Sequence, residues 1–297
     1  MTMLQVVDPH VHLWAPGTLR YPWMESDAVG FNGDVTPVKK RYAPADLLAD
    51  AGDTVQVLKA VHIEAIAADP LAETRWVQEQ ADAQDVLKIG IVGYADFTRP
   101  DVETLLAAQC ESRATRGIRQ ILNVHANPLY DYVGRHYMDD VTWRRNFKLL
   151  SQYGLSFDMQ LYPSQMHAAA VLARDNPDVS FVLNHAGMFV DRDQVGGWAA
   201  WRDGLALLAT LPNMTVKISG LGMFDHHWTV ESLRPYVLQV IDTFGADRCM
   251  FASNFPVDKL YSNYPAVWQA FAQIVGGASD SEKAQLFRMN AERVYRL

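Results

Sequence analysis

The sequence predicts one (β/α)8 barrel of the TIM type, and three observations carry the prediction. Eight strand-like runs follow one another along 297 residues, at 4–12, 57–65, 87–95, 116–123, 155–162, 180–187, 215–221 and 249–255. Segments with helical spacing separate most of them, and most strand starts lie about 30 residues apart, the size of a βα unit. Polar and ionisable residues gather toward the C-terminal ends of the strands, where barrel enzymes keep their chemistry. Strands alternating with helices argue for a parallel sheet, and eight such units in about 250 residues argue for one that closes.

The first strand ends in Asp8-Pro9-His10-Val11-His12 and opens into a long loop, 13–42, with Trp14, Tyr21, Trp23 and Phe31 and three prolines. Histidines at i and i+2 on a strand project to one side with Cα atoms about 6.5–7 Å apart, close enough to meet one metal ion. An HxH alone is weak evidence, and its place at the end of a strand strengthens it. The second strand supplies His62, for which we expect a structural role, and Glu64 at its end; a helix follows over 70–84 with Leu71, Trp76, Val77 and Ala81. The third strand does not alternate clearly and gives no face assignment. The fourth supplies Arg119 and Asn123 and leads into a loop from Val124 to Asp140 rich in His and Tyr, then a helix over 143–153. Long loops over the active face form lids or specificity walls, or contacts between subunits of a homo-oligomer, and both readings stand.

The fifth strand alternates most cleanly. Leu155, Phe157, Met159 and Leu161 fall on one face, Ser156, Asp158, Gln160 and Tyr162 on the other. Helices cover the outside of a barrel, so the apolar face looks out and the polar face in. The same rule places Asp8, His10 and His12 inside, with His62 and Glu64, Arg119 and Asn123, His185 of the sixth strand, Lys217 and Ser219 of the seventh, and Asn254 of the eighth. So many polar groups are costly in a packed core and point to a site. A helix over 229–244 separates the last two strands.

Composition narrows the function. With 49% hydrophobic and 20% charged residues the chain reads as a globular enzyme, and its net charge of -8 disfavours nucleic acid and anionic membrane as partners. Cys110 and Cys249 imply no disulfide framework, and the N-terminus enters a strand without a signal-like stretch, so a cytoplasmic location is expected. No linker or repeat divides the chain, and one domain over 1–297 is the reading.

Six segments carry a family resemblance: Asp8-Pro9-His10-Val11-His12-Leu13-Trp14, Gly117-Ile118-Arg119, Asp158-Met159-Gln160, Leu183-Asn184-His185-Ala186-Gly187, Val216-Lys217-Ile218-Ser219-Gly220-Leu221 and Met250-Phe251-Ala252-Ser253-Asn254-Phe255-Pro256. In this order they resemble the amidohydrolase superfamily, and within it the amidohydrolase-related branch of sugar lactonases, sulfomuconolactone hydrolases and pyrone dicarboxylate hydrolase. The resemblance puts His10, His12 and His185 in metal-ligand positions, with Glu64 either a further ligand or a hydrogen-bond acceptor for substrate. It implies one divalent ion, zinc being the first choice, although some members of the branch work without metal and use the histidines as donors to the carbonyl.

Asn254 departs from the pattern, since most members carry an aspartate there that takes a proton from water. An amide has no basic site near neutral pH. Another group, such as Asp258, Glu64 or a histidine, then serves as base; or metal-bound hydroxide needs none; or hydrolysis is lost. Arg119 and Lys217 either pair with Glu64 and Asp158 for structure or bind a carboxylate or oxyanion. Asn254, Lys217 and Arg119 are the candidate catalytic residues, and Arg119, Gln160, Asp158 and Lys217 the candidate substrate-binding ones. The leading expectation is a hydrolase of a small, anionic lactone or related cyclic ester, by water attack at the carbonyl. A metal-dependent decarboxylase is the runner-up, and a noncatalytic ligand-binding barrel the reading outside enzymes. A TatD-type deoxyribonuclease shares the HxH, but the acidic chain offers no phosphate track.

Overall fold

Eight parallel strands pair in sequence order: β1 (Leu4–Val11), β2 (Val55–Ile63), β3 (Lys88–Tyr94), β4 (Thr115–Ile121), β5 (Ser156–Gln160), β6 (Phe181–Leu183), β7 (Met214–Ile218) and β8 (Cys249–Phe251). The structure is a computed structural model describing residues 3–297, so the first two residues of the expected domain lie outside the described residues. Just beyond β8 the chain returns to β1, where His12 N donates to Phe255 O at 2.7 Å and Asn254 N to His10 O at 2.9 Å. These bonds close the ring, and the expected (β/α)8 barrel is present.

The helices form where expected. Pro70–Asp82 begins at Asp69, whose carboxylate accepts from the backbone of Leu71 and Ala72 at 3.0 Å. Val230–Phe244 starts at Thr229, which accepts from Ser232 N. The helix expected over 143–153 is two shorter pieces, Val141–Phe147 and Leu149–Gln152. Their aromatic side chains receive the outer face of β5, with the rings of Phe147 and Phe157 4.8 Å apart and edge to face. Burying each such ring stabilises the layer by about 1.5–3 kcal/mol.

The barrel interior is apolar at its lower end, where Val7, Val61, Val92, Val182 and Met250 meet Tyr295 of the helix Asn290–Tyr295. Two strands break the simple alternation. Along β1, Asp8 pairs with Ala60 and Val11 with His62, three residues against two. This bulge changes the phase, so Asp8 does not share the face of His12. Its carboxylate accepts from Tyr264 Oη at 2.9 Å and Ser253 N at 3.0 Å instead. On β2 it is Val61 and Ile63 that belong to the interior cluster, and His62 accepts from Leu13 N at 3.0 Å, pinning the start of the first loop. Among the described residues no helix is long and apolar enough to cross a membrane.

Candidate active site

A cavity of about 140 Å³ opens at the C-terminal mouth of the barrel, with His12, Arg119, Asn123, Gln160, His185 and Asn254 among its lining. His12 arrives from the end of β1, and its Nδ1 donates to Ile63 O at 2.8 Å. A carbonyl only accepts, so the proton sits on Nδ1 and Nε2 keeps its lone pair. Burial, and then the charge of Arg119, pull the imidazole down to about 3, and it is neutral at pH 7.

His185 shares the parity of Phe181 and Leu183, which pack in the outer layer, so strict alternation points it outward and not inward as expected from the sequence. The strand stops at Leu183, and left-handed backbone at His185 and Ala186 (φ 52° for both) turns the ring into the mouth. Its Nδ1 shares a hydrogen bond with Ser219 Oγ at 2.9 Å. Gly220 is required beside it, because a Cβ there would lie 2.6 Å from that nitrogen. Burial, followed by Arg119, holds His185 well below the ordinary histidine range. The ring of His10 packs 4.4 Å from that of His185 and 5.0 Å from that of His12, buried, with neither nitrogen hydrogen-bonded.

A divalent ion held by His10, His12, His185 and Glu64 is the expectation to be tested against these positions. Three imidazoles do come together. Yet among the described residues no group of three or more His, Cys, Asp or Glu side chains is placed to hold a metal ion. The rings of His10 and His185 lie against each other at 49°. Glu64 is committed elsewhere: Oε1 accepts from Arg119 Nε at 2.7 Å and Oε2 from Ile66 N at 2.8 Å. The residues present do not fit the ion, and Glu64 is better described as the partner of Arg119.

Arg119 Nη1 donates to Gln160 Oε1 at 3.1 Å, and Gln160 Nε2 donates to Asn123 Oδ1 at 3.2 Å, so the polar floor is one connected network. Lys217 and Asp158, expected as substrate-binding groups, lie below it. Lys217 is 0% exposed, its Nζ 2.6 Å from Asp158 Oδ2, and neither residue lines the cavity. Tyr295 caps the pair from beneath, donating to Asp158 Oδ2 at 2.8 Å with its ring centroid 4.9 Å from Lys217 Nζ. Burial lowers the ammonium to about 8 against the opposing pull of Asp158, so it stays charged at neutral pH. Sequence reasoning missed Tyr295; the apolar spacing of Ala291, Val294 and Tyr295 signals a helix face but not its docking place.

Asn254 also has left-handed backbone (φ 59°), which brings its amide to the mouth. Nδ2 donates to Asp258 Oδ1 at 3.1 Å, and Asn254 lines the same cavity as His12. Asp258 is buried one step behind, and burial raises its carboxyl to about 7, with the Asn254 bond working the other way. Above this floor the first loop contributes Trp14, Trp23 and Phe31. Phe31 stacks on Phe224 at 5.7 Å and lies 6.0 Å from Tyr130 of the fourth loop. Ile66, Ile121, Met223 and Val257 join the wall, which also holds Tyr132 and Asn32, whose buried Oδ1 has no hydrogen-bond partner.

Known proteins agree with this architecture along its whole length. Protein y4mH of Sinorhizobium fredii is 46% identical over 302 residues, covering 100% of both chains. The L-fucono-1,5-lactonase of Burkholderia ambifaria is 25% identical over 300 residues, 98% of this chain and 95% of that one. An amidohydrolase of Burkholderia multivorans, solved with bound zinc, superposes with a TM-score of 0.82 at 24% identity over 99% of both chains. A probable 2-pyrone-4,6-dicarboxylic acid hydrolase of Acinetobacter baumannii does so at 0.74 and 12% identity, over 98% of this chain and 99% of that one. The amidohydrolase family model spans residues 7–297, taking in every strand end that furnishes the mouth, and the chain belongs to that family.

Proposed function

We propose that the chain hydrolyses a small lactone or related cyclic ester, opening the ring by attack of water on the carbonyl carbon. The observation that carries this reading is the convergence of a neutral His12, a neutral His185, the Asn254 amide and the Arg119 guanidinium on one cavity. The lactonase relatives at 25% and 26% identity support the substrate class. As the water oxygen bonds to carbon, His12 Nε2 takes its proton, and the Asn254 oxygen accepts a hydrogen bond from the imidazolium so formed. Asp258 holds the amide in that orientation. Negative charge grows on the carbonyl oxygen; of the five N–H bonds of Arg119, three have partners in the floor, leaving two for an oxyanion. The tetrahedral species collapses by breaking the ring C–O bond, and the proton on His12 returns to the leaving alkoxide. Decarboxylation has less support, since position 254 supplies no acid and Glu64 is held by Arg119. Acid release from a panel of γ- and δ-lactones tests the reading: His12→Ala should lower it about a hundredfold or more, and release from no lactone would sink it.

A further inference from the structure

We infer that Asn32 is a specificity-determining residue of this site, its side-chain oxygen accepting a hydrogen bond from a hydroxyl carried by the substrate ring; the inference rests on the lactone reading above. Gly30 to Gly33 form the tip of the first loop. Gly33 N donates to Gly30 O at 3.0 Å, a tight turn with Phe31 and Asn32 at its corners. Two neighbours hold this tip against the cavity. The Phe31 ring stacks on that of Phe224 at 5.7 Å. The backbone carbonyl of Asn32 accepts from Tyr261 Oη, and the Tyr261 ring is itself stacked 3.8 Å from that of His226. Gly33 has a φ of 71°, and a Cβ there would collide with Tyr261 Oη. The turn and the tyrosine therefore fit each other only with glycine at that position.

So placed, Asn32 lines the cavity, and its Oδ1 is buried without a hydrogen-bond partner. A buried acceptor that the protein leaves unpaired is costly, and in a ligand cavity its partner is water until a donor on the ligand replaces it. The indoles beside it are already committed, Trp14 Nε1 donating to Lys40 O at 2.7 Å and Trp23 Nε1 to Ala65 O at 2.9 Å. The Tyr132 phenol, which can both donate and accept, lines the same cavity. A hydroxyl is the ligand group that suits an amide acceptor and a phenol together. Among the described residues no aspartate or glutamate is in the lining, so an ammonium would be buried there without a counter-charge. The 140 Å³ cavity is close to the roughly 150 Å³ that admits a benzene ring in a protein interior, so one six-membered ring fills it and the hydroxyl belongs on that ring.

The test compares δ-valerolactone with its ring-hydroxylated counterparts, the pentono-1,5-lactones, and reads the ratio of kcat/KM for the best pentonolactone to that for δ-valerolactone. Wild type should favour the hydroxylated ring by about tenfold or more. Asn32→Leu, or Asn32→Ala should the leucine variant not fold, should lower the ratio by about tenfold. Asn32→Asp, which exchanges the amide NH2 for a second acceptor, should keep it within about threefold of wild type. Tyr261→Phe frees the loop tip and should raise KM for the pentonolactone about threefold or more with kcat little changed. A wild-type preference for δ-valerolactone, or an unchanged ratio in Asn32→Leu, overturns the inference and leaves the hydrolase reading standing. A loss in Asn32→Asp as large as in Asn32→Leu also overturns it, since the amide N–H would then make the contact. If no lactone releases acid, the hydrolase reading falls, and calorimetric binding of the matching lactams judges the inference by itself. Preference for the hydroxylated lactam that is lost in Asn32→Leu upholds it; a preference untouched by the substitution overturns it.

Discussion

Arg119 grips Glu64 twice, donating through Nε to the carboxylate at 2.7 Å and through Nη2 to the backbone carbonyl of the same residue at 2.6 Å. Both side chains are almost fully buried. Removing one partner of such a pair leaves an uncompensated charge and costs about 3–5 kcal/mol. Arg119→Met should therefore shift the urea midpoint down by that equivalent and lower kcat/KM about a hundredfold. Adding Glu64→Gln should restore much of the stability and none of the activity. Near-normal kcat/KM in the single variant would remove Arg119 from the chemistry.

Lys217 should behave differently although it too is a buried cation. Its partners Asp158 and Tyr295 are below the cavity floor. Lys217→Met should lower thermal stability markedly while kcat/KM of the folded fraction stays within about threefold of wild type. A tenfold or greater loss in correctly folded protein would return Lys217 to the reacting centre.

Asn254 aims a hydrogen bond and does not titrate. Asn254→Ala should reduce kcat by about ten- to a hundredfold through lost positioning, with the pH–rate profile unchanged. Asn254→Asp adds an ionisable group and should introduce or shift an acidic limb. Wild-type kcat and KM in Asn254→Ala would count against any active-site role.

Asp258 leaves a signature in stability. Its carboxyl is raised from 3.8 to about 7 by burial, so between those values the folded chain holds a proton that the unfolded chain has released. Stability from this group accordingly falls as pH rises from about 4 to about 7, then levels off. Relative to Asp258→Asn, wild-type Tm should decline across that window and hold steady above it. Buried neutral histidines are common to both proteins and cancel in the difference. A flat difference across the window would contradict the raised carboxyl.

Chelation tests the ligand set. Since Glu64 is held by Arg119 and the His10 and His185 rings lie against each other, kcat/KM should survive exhaustive dialysis against EDTA within about twofold. Loss of activity restored by stoichiometric zinc would show that the site rearranges around the ion.

Much of the barrel is legible in the sequence because β5 and β7 alternate strictly, and Phe157 or Val216 can face only the helices when Asp158 or Lys217 faces inward. The misplacements have local causes. Asp8 is lost to a bulge, which inserts one residue and flips the phase of everything before it. His185 reaches the mouth although parity opposes it, because backbone dihedrals past a strand end are not written in hydrophobic period. The ion pairs Arg119–Glu64 and Lys217–Asp158 were foreseeable as alternatives, but which one lies in the cavity depends on the depth of each residue along its strand. Tyr295 belongs to a helix whose docking point is set by the whole barrel.

That tyrosine has a consequence for how the protein is made. Asp158, Lys217 and Tyr295 lie far apart along the chain, Tyr295 following Asp158 by 137 residues. During synthesis the acid and the amine emerge long before the ring that seals them from water at the base. Until the ribosome has delivered residue 295, the buried Lys217–Asp158 pair stands over an open floor. Folding of the upper mouth thus waits on the last helix, so late truncations and bulky carboxy-terminal fusions should harm yield in cells more than their distance from the cavity suggests.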